Sequence, residues 1–209
     1  MGVPADPLRL AHWRRTVAEH YAAVRAATDL DPARAATEFR AARDRLFREH
    51  PDSPIPSELR GTWKGMRWYD YDPAWRVVAA VVPDPARREF TIDLATDGTL
   101  RCARIAHARF VRDGADASLA LYWLEGYGGG VWLPFVDATS GTDTYGGGRY
   151  LYDTIKGADL GVGASSIVLD FNFAYNPSCA YDARWSCPLA PPENRLPFAV
   201  TAGEKAPRI

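Results

Sequence analysis

From residue 76 onward the chain breaks into short apolar runs joined by tight-turn signals, with no helical stretch between them. That pattern constrains the fold more than any other feature, because many short strands so connected form an antiparallel sheet. Residues 76–82 are rich in valine. Residues 89–95 alternate, with Phe90, Ile92 and Leu94 on one face and Thr91 and Asp93 on the other. Thr96-Asp97-Gly98-Thr99 predicts a hairpin, since Asp-Gly suits a turn needing positive φ, with a return strand over 100–111. Asp113-Gly114-Ala115-Asp116 turns the chain again into 119–124. Residues 131–136, 148–152, 167–173 and 198–201 read as further strands. The expected fold class is α+β, mostly β: an antiparallel β-sandwich or a partly closed β-barrel, either of which shields sheet edges.

The first fifty residues are different. Residues 8–28 contain neither glycine nor proline. Leu10, Trp13, Val17, Tyr21 and Val24 recur there at spacings of three and four, which places them on one helical face. Asp31-Pro32 opens a second helix, because Asp caps an N-terminus well and Pro lacks an N–H where none is needed. Ala35, Phe39, Leu46 and Phe47 form its apolar side. Arg40, Arg43, Asp44 and Arg48 are expected on its solvated side. Pro51, Pro54 and Pro56 end it. The two helices should pack outside the β-rich part or plug one end of it. The 209 residues read as a single domain, with a helical segment over 1–50 and a β-rich core over 60–205.

Twenty-five basic and 26 acidic side chains leave a net charge of −1. No global field therefore favours nucleic acid or a membrane surface. No stretch approaches the roughly 20 apolar residues that span a bilayer. The N-terminus lacks the basic-then-apolar pattern of a secretory leader, so a cytoplasmic location is expected. The cysteines are Cys102, Cys179 and Cys187, an odd number that argues against a disulfide scaffold. Seven residues separate Cys179 from Cys187, and His12, His20, His50 and His107 lie far apart in sequence. That spacing supports no metal site. It leaves open a reversible disulfide between Cys179 and Cys187 if the intervening loop folds back, or buried thiols. Neither a cofactor nor an oligomeric state is legible.

Two dense blocks, at 135–150 and 170–205, concentrate glycine, proline, acids and amides. In the first, Thr144-Tyr145-Gly146-Gly147-Gly148-Arg149-Tyr150 permits either a bulged strand or a floor of backbone N–H groups beneath Arg149. Lacking a Gly-Lys-Ser/Thr ending, it is not a P-loop. In the second, Asp170 and Asn172 share one face of a strand and Leu169, Phe171 and Phe173 the other. A buried Asp170 would need a partner, and Arg149 is the expected one. Tyr175-Asn176-Pro177 predicts a turn, and Pro191-Pro192 stiffens Glu193-Asn194. Asp137, Asp170 and Glu193 are the candidate acids and bases, because two carboxylates in one pocket can divide those roles. A structural Glu–Arg ion pair is the plainer reading of Glu193.

These blocks resemble the uncharacterised bacterial and archaeal family catalogued as domain of unknown function sixteen eighty-four. The resemblance rests on Thr144-Tyr145-Gly146-x-Gly148-Arg149-Tyr150, Asp170-Phe171-Asn172-x-Ala174-Tyr175-Asn176-Pro177-x-Cys179, Cys187-Pro188-Leu189-x-Pro191-Pro192-Glu193-Asn194 and Ala202-Gly203-Glu204-Lys205. It implies a compact β-rich domain and carries no activity with it. The leading expectation is a small polar or anionic ligand held by Arg149, Tyr145, Tyr150, Asn172, Asn176 and Asn194. A carboxylate-dependent hydrolase or lyase, a redox-responsive protein using Cys179 and Cys187, and a structural or protein-binding domain are the alternatives.

Overall fold

A computed structural model describes residues 6–27, 30–94 and 98–209. Thr28, and Thr96 and Asp97 of the expected hairpin turn, lie outside the described residues. Helix α1 spans Pro7–Ala27 and helix α2 spans Pro32–Glu49. The Asp31 carboxylate caps α2 by accepting the Arg34 backbone N–H at 3.1 Å. Val17, Tyr21 and Val24 of α1 are buried, as are Ala35, Phe39, Leu46 and Phe47 of α2. The periodicity thus translates directly into packing. Arg43 departs from the expected solvated side. It lies four residues after Phe39 and three before Leu46, so helical geometry carries it inward with them. It is buried and its Nε donates to Glu204 Oε1 at 2.5 Å.

Seven strands follow: β1 Arg76–Pro83, β2 Glu89–Leu94, β3 Gly98–Arg112, β4 Ala115–Leu124, β5 Gly130–Phe135, β6 Arg149–Asp153 and β7 Ser166–Asp170. All named pairings are antiparallel, in the order β6-β5-β4-β3-β1-β7, with β2 also on β3. The long β3 explains the curvature. Its first half pairs with β2 and its second with β1, while a register shift against β4 falls between Arg104 and Ala106. A bulge there bends the strand and increases its twist. The sheet curls into a half-barrel, the partly closed alternative of the two expected.

Alternation along β4 divides the core. Leu119 and Leu121 face one cluster, which includes Tyr21 and Phe39 of the helices and Phe135, Leu151 and Phe171 of the β-rich part. Ala120, Tyr122 and Leu124 face a second cluster with Cys102, Trp132 and Tyr150.

Two expected strands are corrected. The strand over 167–173 ends at Asp170, because its carboxylate turns back to accept the Asn172 backbone N–H at 3.1 Å. Phe171–Phe173 consequently forms a 3-10 turn. Residues 198–201 form no strand. Their carbonyls are taken by individual donors instead: Phe198 by the Ala138 N–H at 3.1 Å and Val200 by the Arg149 guanidinium at 2.9 Å.

Candidate functional site

Arg149 begins β6 and is fully buried. Its Nη2 donates to Asp137 Oδ2 at 2.8 Å and to the Val200 carbonyl, while Nη1 donates to the carbonyls of Ala202 and Glu204. Asp137 Oδ1 in turn accepts the Thr139 N–H at 2.7 Å and the Thr139 hydroxyl at 2.6 Å. The expected Arg149–Asp170 pair is therefore replaced by Arg149–Asp137. Asp170 lies on the other edge of the sheet, where β7 pairs with β1, and its Oδ2 is 4.0 Å from Arg76 Nε. Burial raises the Asp170 pKa, against the hydrogen bonds it accepts from Asn172.

The remaining polar candidates are dispersed. Asn172 brackets Asp72, accepting its N–H at 3.0 Å and donating to its carbonyl at 2.8 Å. Asn194 does the same to Ala120 of β4 and also donates to the Pro134 carbonyl at 2.7 Å. Asn176 donates to the Lys205 carbonyl at 2.9 Å, and its backbone N–H donates to Glu204 Oε2 at 2.7 Å. Glu193 takes the Tyr122 hydroxyl at 2.5 Å and Arg104 at 2.8 Å, which matches the ion-pair reading. Asp137, Asp170 and Glu193 thus sit in three separate networks. Sequence reading missed Glu204 as an organising residue. It is fully buried and joins Arg43, the Tyr181 hydroxyl and the Asn176 N–H. An acid framed by Ala202 and Gly203, inside a dense motif, was the available signal.

Cys179, Cys187 and Tyr145 do come together. Ser178–Ala180 forms a 3-10 turn after Pro177, and the loop that follows folds back. The Cys179 backbone N–H donates to Cys187 Sγ at 3.3 Å, so the second cysteine lies directly against the first. The Tyr145 hydroxyl donates to Cys179 Sγ at 3.6 Å. Both cysteines are partly exposed, and Trp185 and Leu189 of the same loop are exposed.

The glycine run makes this approach possible. A Cβ on Gly147 would lie 2.5 Å from the Tyr145 ring, so only glycine lets that ring fold over the backbone. At Gly148, with φ +88, a Cβ would lie 2.5 Å from the Phe135 carbonyl, so β6 can start tightly against β5. Tyr150 closes the region from below. Its hydroxyl donates to the Pro188 carbonyl and its ring meets Trp132 edge-on.

The electrostatics separate the two sulfurs. The adjacent Cys187 thiol holds the Cys179 pKa down to about 6, with the Tyr145 hydroxyl adding to that effect and Lys156 contributing attraction. The adjacent Cys179, and then burial, push Cys187 up. Burial, then the bond to Cys179, raises Tyr145 to about 12, so it stays protonated at neutral pH. Cys102 contrasts: burial raises it to about 11, the setting of an inert thiol.

A groove of about 620 Å3 lies elsewhere, between α1 and α2, lined by His12, His20, Arg45, Glu49 and His50 among others. None of the sequence-predicted site residues lines it. His12 and His50, 38 positions apart, stack with ring nitrogens 3.1 Å apart. Among the described residues no group of three or more His, Cys, Asp or Glu side chains is gathered to hold a metal, and no helix is long and apolar enough to cross a membrane.

Comparison with known proteins places this architecture. A solved structure with 37% sequence identity covers 81% of this chain and 91% of its own, with a TM-score of 0.56. It is the solution NMR structure of an uncharacterised protein of Haloarcula marismortui. No curated protein matches the chain. The match to a family reaches from Gly61 to Lys205, and so takes in the half-barrel, the buried Arg149 network, Glu204 without its partner Arg43, and both partly exposed cysteines. Over those residues the chain belongs to the family described as protein of unknown function DUF1684.

Proposed function

We propose that this chain is a thiol-redox protein whose working group is the Cys179–Cys187 dithiol, which closes reversibly to a disulfide. One observation carries the reading. The Cys179 N–H donates to Cys187 Sγ at 3.3 Å, so the loop presents the second sulfur directly to the first residue. Partial exposure of both thiols supports it, because an external oxidant or reductant must reach them. The depressed Cys179 pKa supports it as well, since the thiolate is the form that reacts. Arg149 gives less support to an anion site: both of its Nη atoms are already committed to Asp137 and three backbone carbonyls.

The test is a redox titration followed by peptide mapping. Equilibration with reduced and oxidised dithiothreitol is expected to yield one two-electron transition and a 179–187 linked peptide. Both thiols remaining free across the whole range would overturn the reading.

A further inference from the structure

The dithiol is asymmetric, and the asymmetry identifies the first sulfur to react. Cys179 accepts the Tyr145 hydroxyl hydrogen bond at 3.6 Å. Cys187 instead accepts the Cys179 backbone N–H. Resting on the dithiol reading, we infer that the site reduces hydroperoxides: Cys179 is the attacking sulfur, Cys187 the resolving sulfur and Tyr145 the proton donor to the departing oxygen.

The chemistry follows from what each leaving group needs. Cys179 thiolate attacks the terminal oxygen of a hydroperoxide. The S–O bond forms and the O–O bond breaks. Sulfur loses two electrons and the peroxide oxygens gain them. The product is a Cys179 sulfenic acid, which keeps the proton of the transferred hydroxyl, and an alkoxide or hydroxide leaves. That anion takes the Tyr145 proton and departs as an alcohol or water, and solvent reprotonates the phenolate. The Cys187 sulfur then attacks the Cys179 sulfur. The S–S bond forms, the S–O bond breaks, and the hydroxyl leaves with the Cys187 proton as water. An external dithiol restores the reduced pair by exchange. Attack on a disulfide instead expels a thiolate, a stable anion that needs no proton. A protonated phenol set against the attacking sulfur therefore suits an oxygen leaving group better than a sulfur one.

The setting agrees. Gly147 exists where any Cβ would displace the Tyr145 ring and meet Leu189 Cδ2 at 3.0 Å. The Tyr145–Cys179 contact is thus built into the backbone. Exposed Leu189 beside it offers an apolar approach, so the hydroperoxide is either hydrogen peroxide or an organic one.

The experiment uses the full chain. Cys187→Ser protein is mixed with hydrogen peroxide or cumene hydroperoxide in the presence of dimedone. The expected result is a dimedone adduct on Cys179, with the faster oxidant naming the source. An adduct formed on Cys187 of Cys179→Ser protein at an equal rate would overturn the assignment of roles. Tyr145→Phe is then compared with wild type for three rates: peroxide consumption, iodoacetamide alkylation of Cys179 and bridging by diamide. Peroxide consumption, normalised to alkylation, is expected to fall about 100-fold or more, the typical contribution of a general acid. Diamide bridging, normalised in the same way, should stay near wild type. Equal losses in both would reduce Tyr145 to a thiolate stabiliser and overturn its role as proton donor. Wild-type protein that bridges with diamide but reacts with peroxides no faster than free cysteine would overturn the inference and leave the dithiol reading standing. Protein that bridges with neither would remove both.

Discussion

Arg149 and Asp137 form a fully buried ion pair, 2.8 Å from Nη2 to Oδ2, which ties the start of β6 to the segment 200–204. The pair spends its charge on architecture. The carbonyls of Val200, Ala202 and Glu204 converge on one guanidinium, which ties down a segment that has no strand ladder. Its removal leaves a buried charge and orphaned carbonyls.

Arg149→Ala is accordingly expected to destabilise the protein by about 3–5 kcal/mol. Chemical denaturation followed by tryptophan fluorescence reads this directly. Arg149→Lys should recover only a minor part, because an ammonium cannot span four acceptors in the same planar fork.

The second buried pair behaves as a unit. Glu204→Gln keeps one acceptor for Arg43 but turns an amide NH2 toward the Asn176 N–H and the Tyr181 hydroxyl, which are both donors. A loss of about 3–5 kcal/mol is expected. Adding Arg43→Met should cost less than the two single losses summed, because the unpaired cation is then gone. A double-mutant cycle by urea denaturation measures the difference.

Gly147→Ala separates packing from reactivity. The new Cβ collides with the Tyr145 ring and with Leu189, so the hydroxyl must withdraw from Cys179. The pH midpoint of Cys179 alkylation is expected to rise from near 6, while far-UV circular dichroism stays unchanged. An unshifted midpoint would mean that Tyr145 contributes nothing to the thiolate.

Helix α1 should loosen in mild acid. His50 Nδ1 accepts the Asp52 N–H at 3.0 Å, so its Nε2 carries the proton donated to His12 Nδ1. The bond from Asp52 needs His50 with only one ring proton; a second proton, on Nδ1, breaks it and sets a cation against His12 and Trp13 of α1. Burial lowers the His50 pKa, with Asp52 opposing and His12 and nearby arginines adding to the lowering. For a histidine lowered on folding, the unfolded chain takes the proton first. The stabilisation is complete above the unfolded value near 6.5 and is lost as pH falls from there through the folded value. Thermal unfolding from pH 7.5 to 5 is expected to show a falling midpoint, blunted in His50→Gln.

The elements were legible from local rules alone. Three-and-four spacing located both helices and Asp31-Pro32 marked the start of the second. Alternation and Gly-containing turns located β1 to β7, since hydrophobic period is a property of neighbouring residues. The same rules failed where a side chain competed with the backbone. Asp170 ended β7 by capping a turn, and Arg149 replaced the ladder that would have made residues 198–201 a strand.

For the site, the sequence by itself determined which residues were unusual: the glycine run, the paired amides, the acids and the two cysteines. Only the tertiary structure decided their roles. Ion pairing depends on distance in space, and the curl of the half-barrel brought Arg149 to Asp137 and carried Asp170 to the opposite edge. Arg43 met Glu204 across 161 positions. The same folding brought Tyr145 over Cys179 and the loop back onto it. Burial then consumed the charged groups in holding the chain together and left the partly exposed thiols with chemistry to offer, because a thiolate needs access while a buried ion pair needs only a partner.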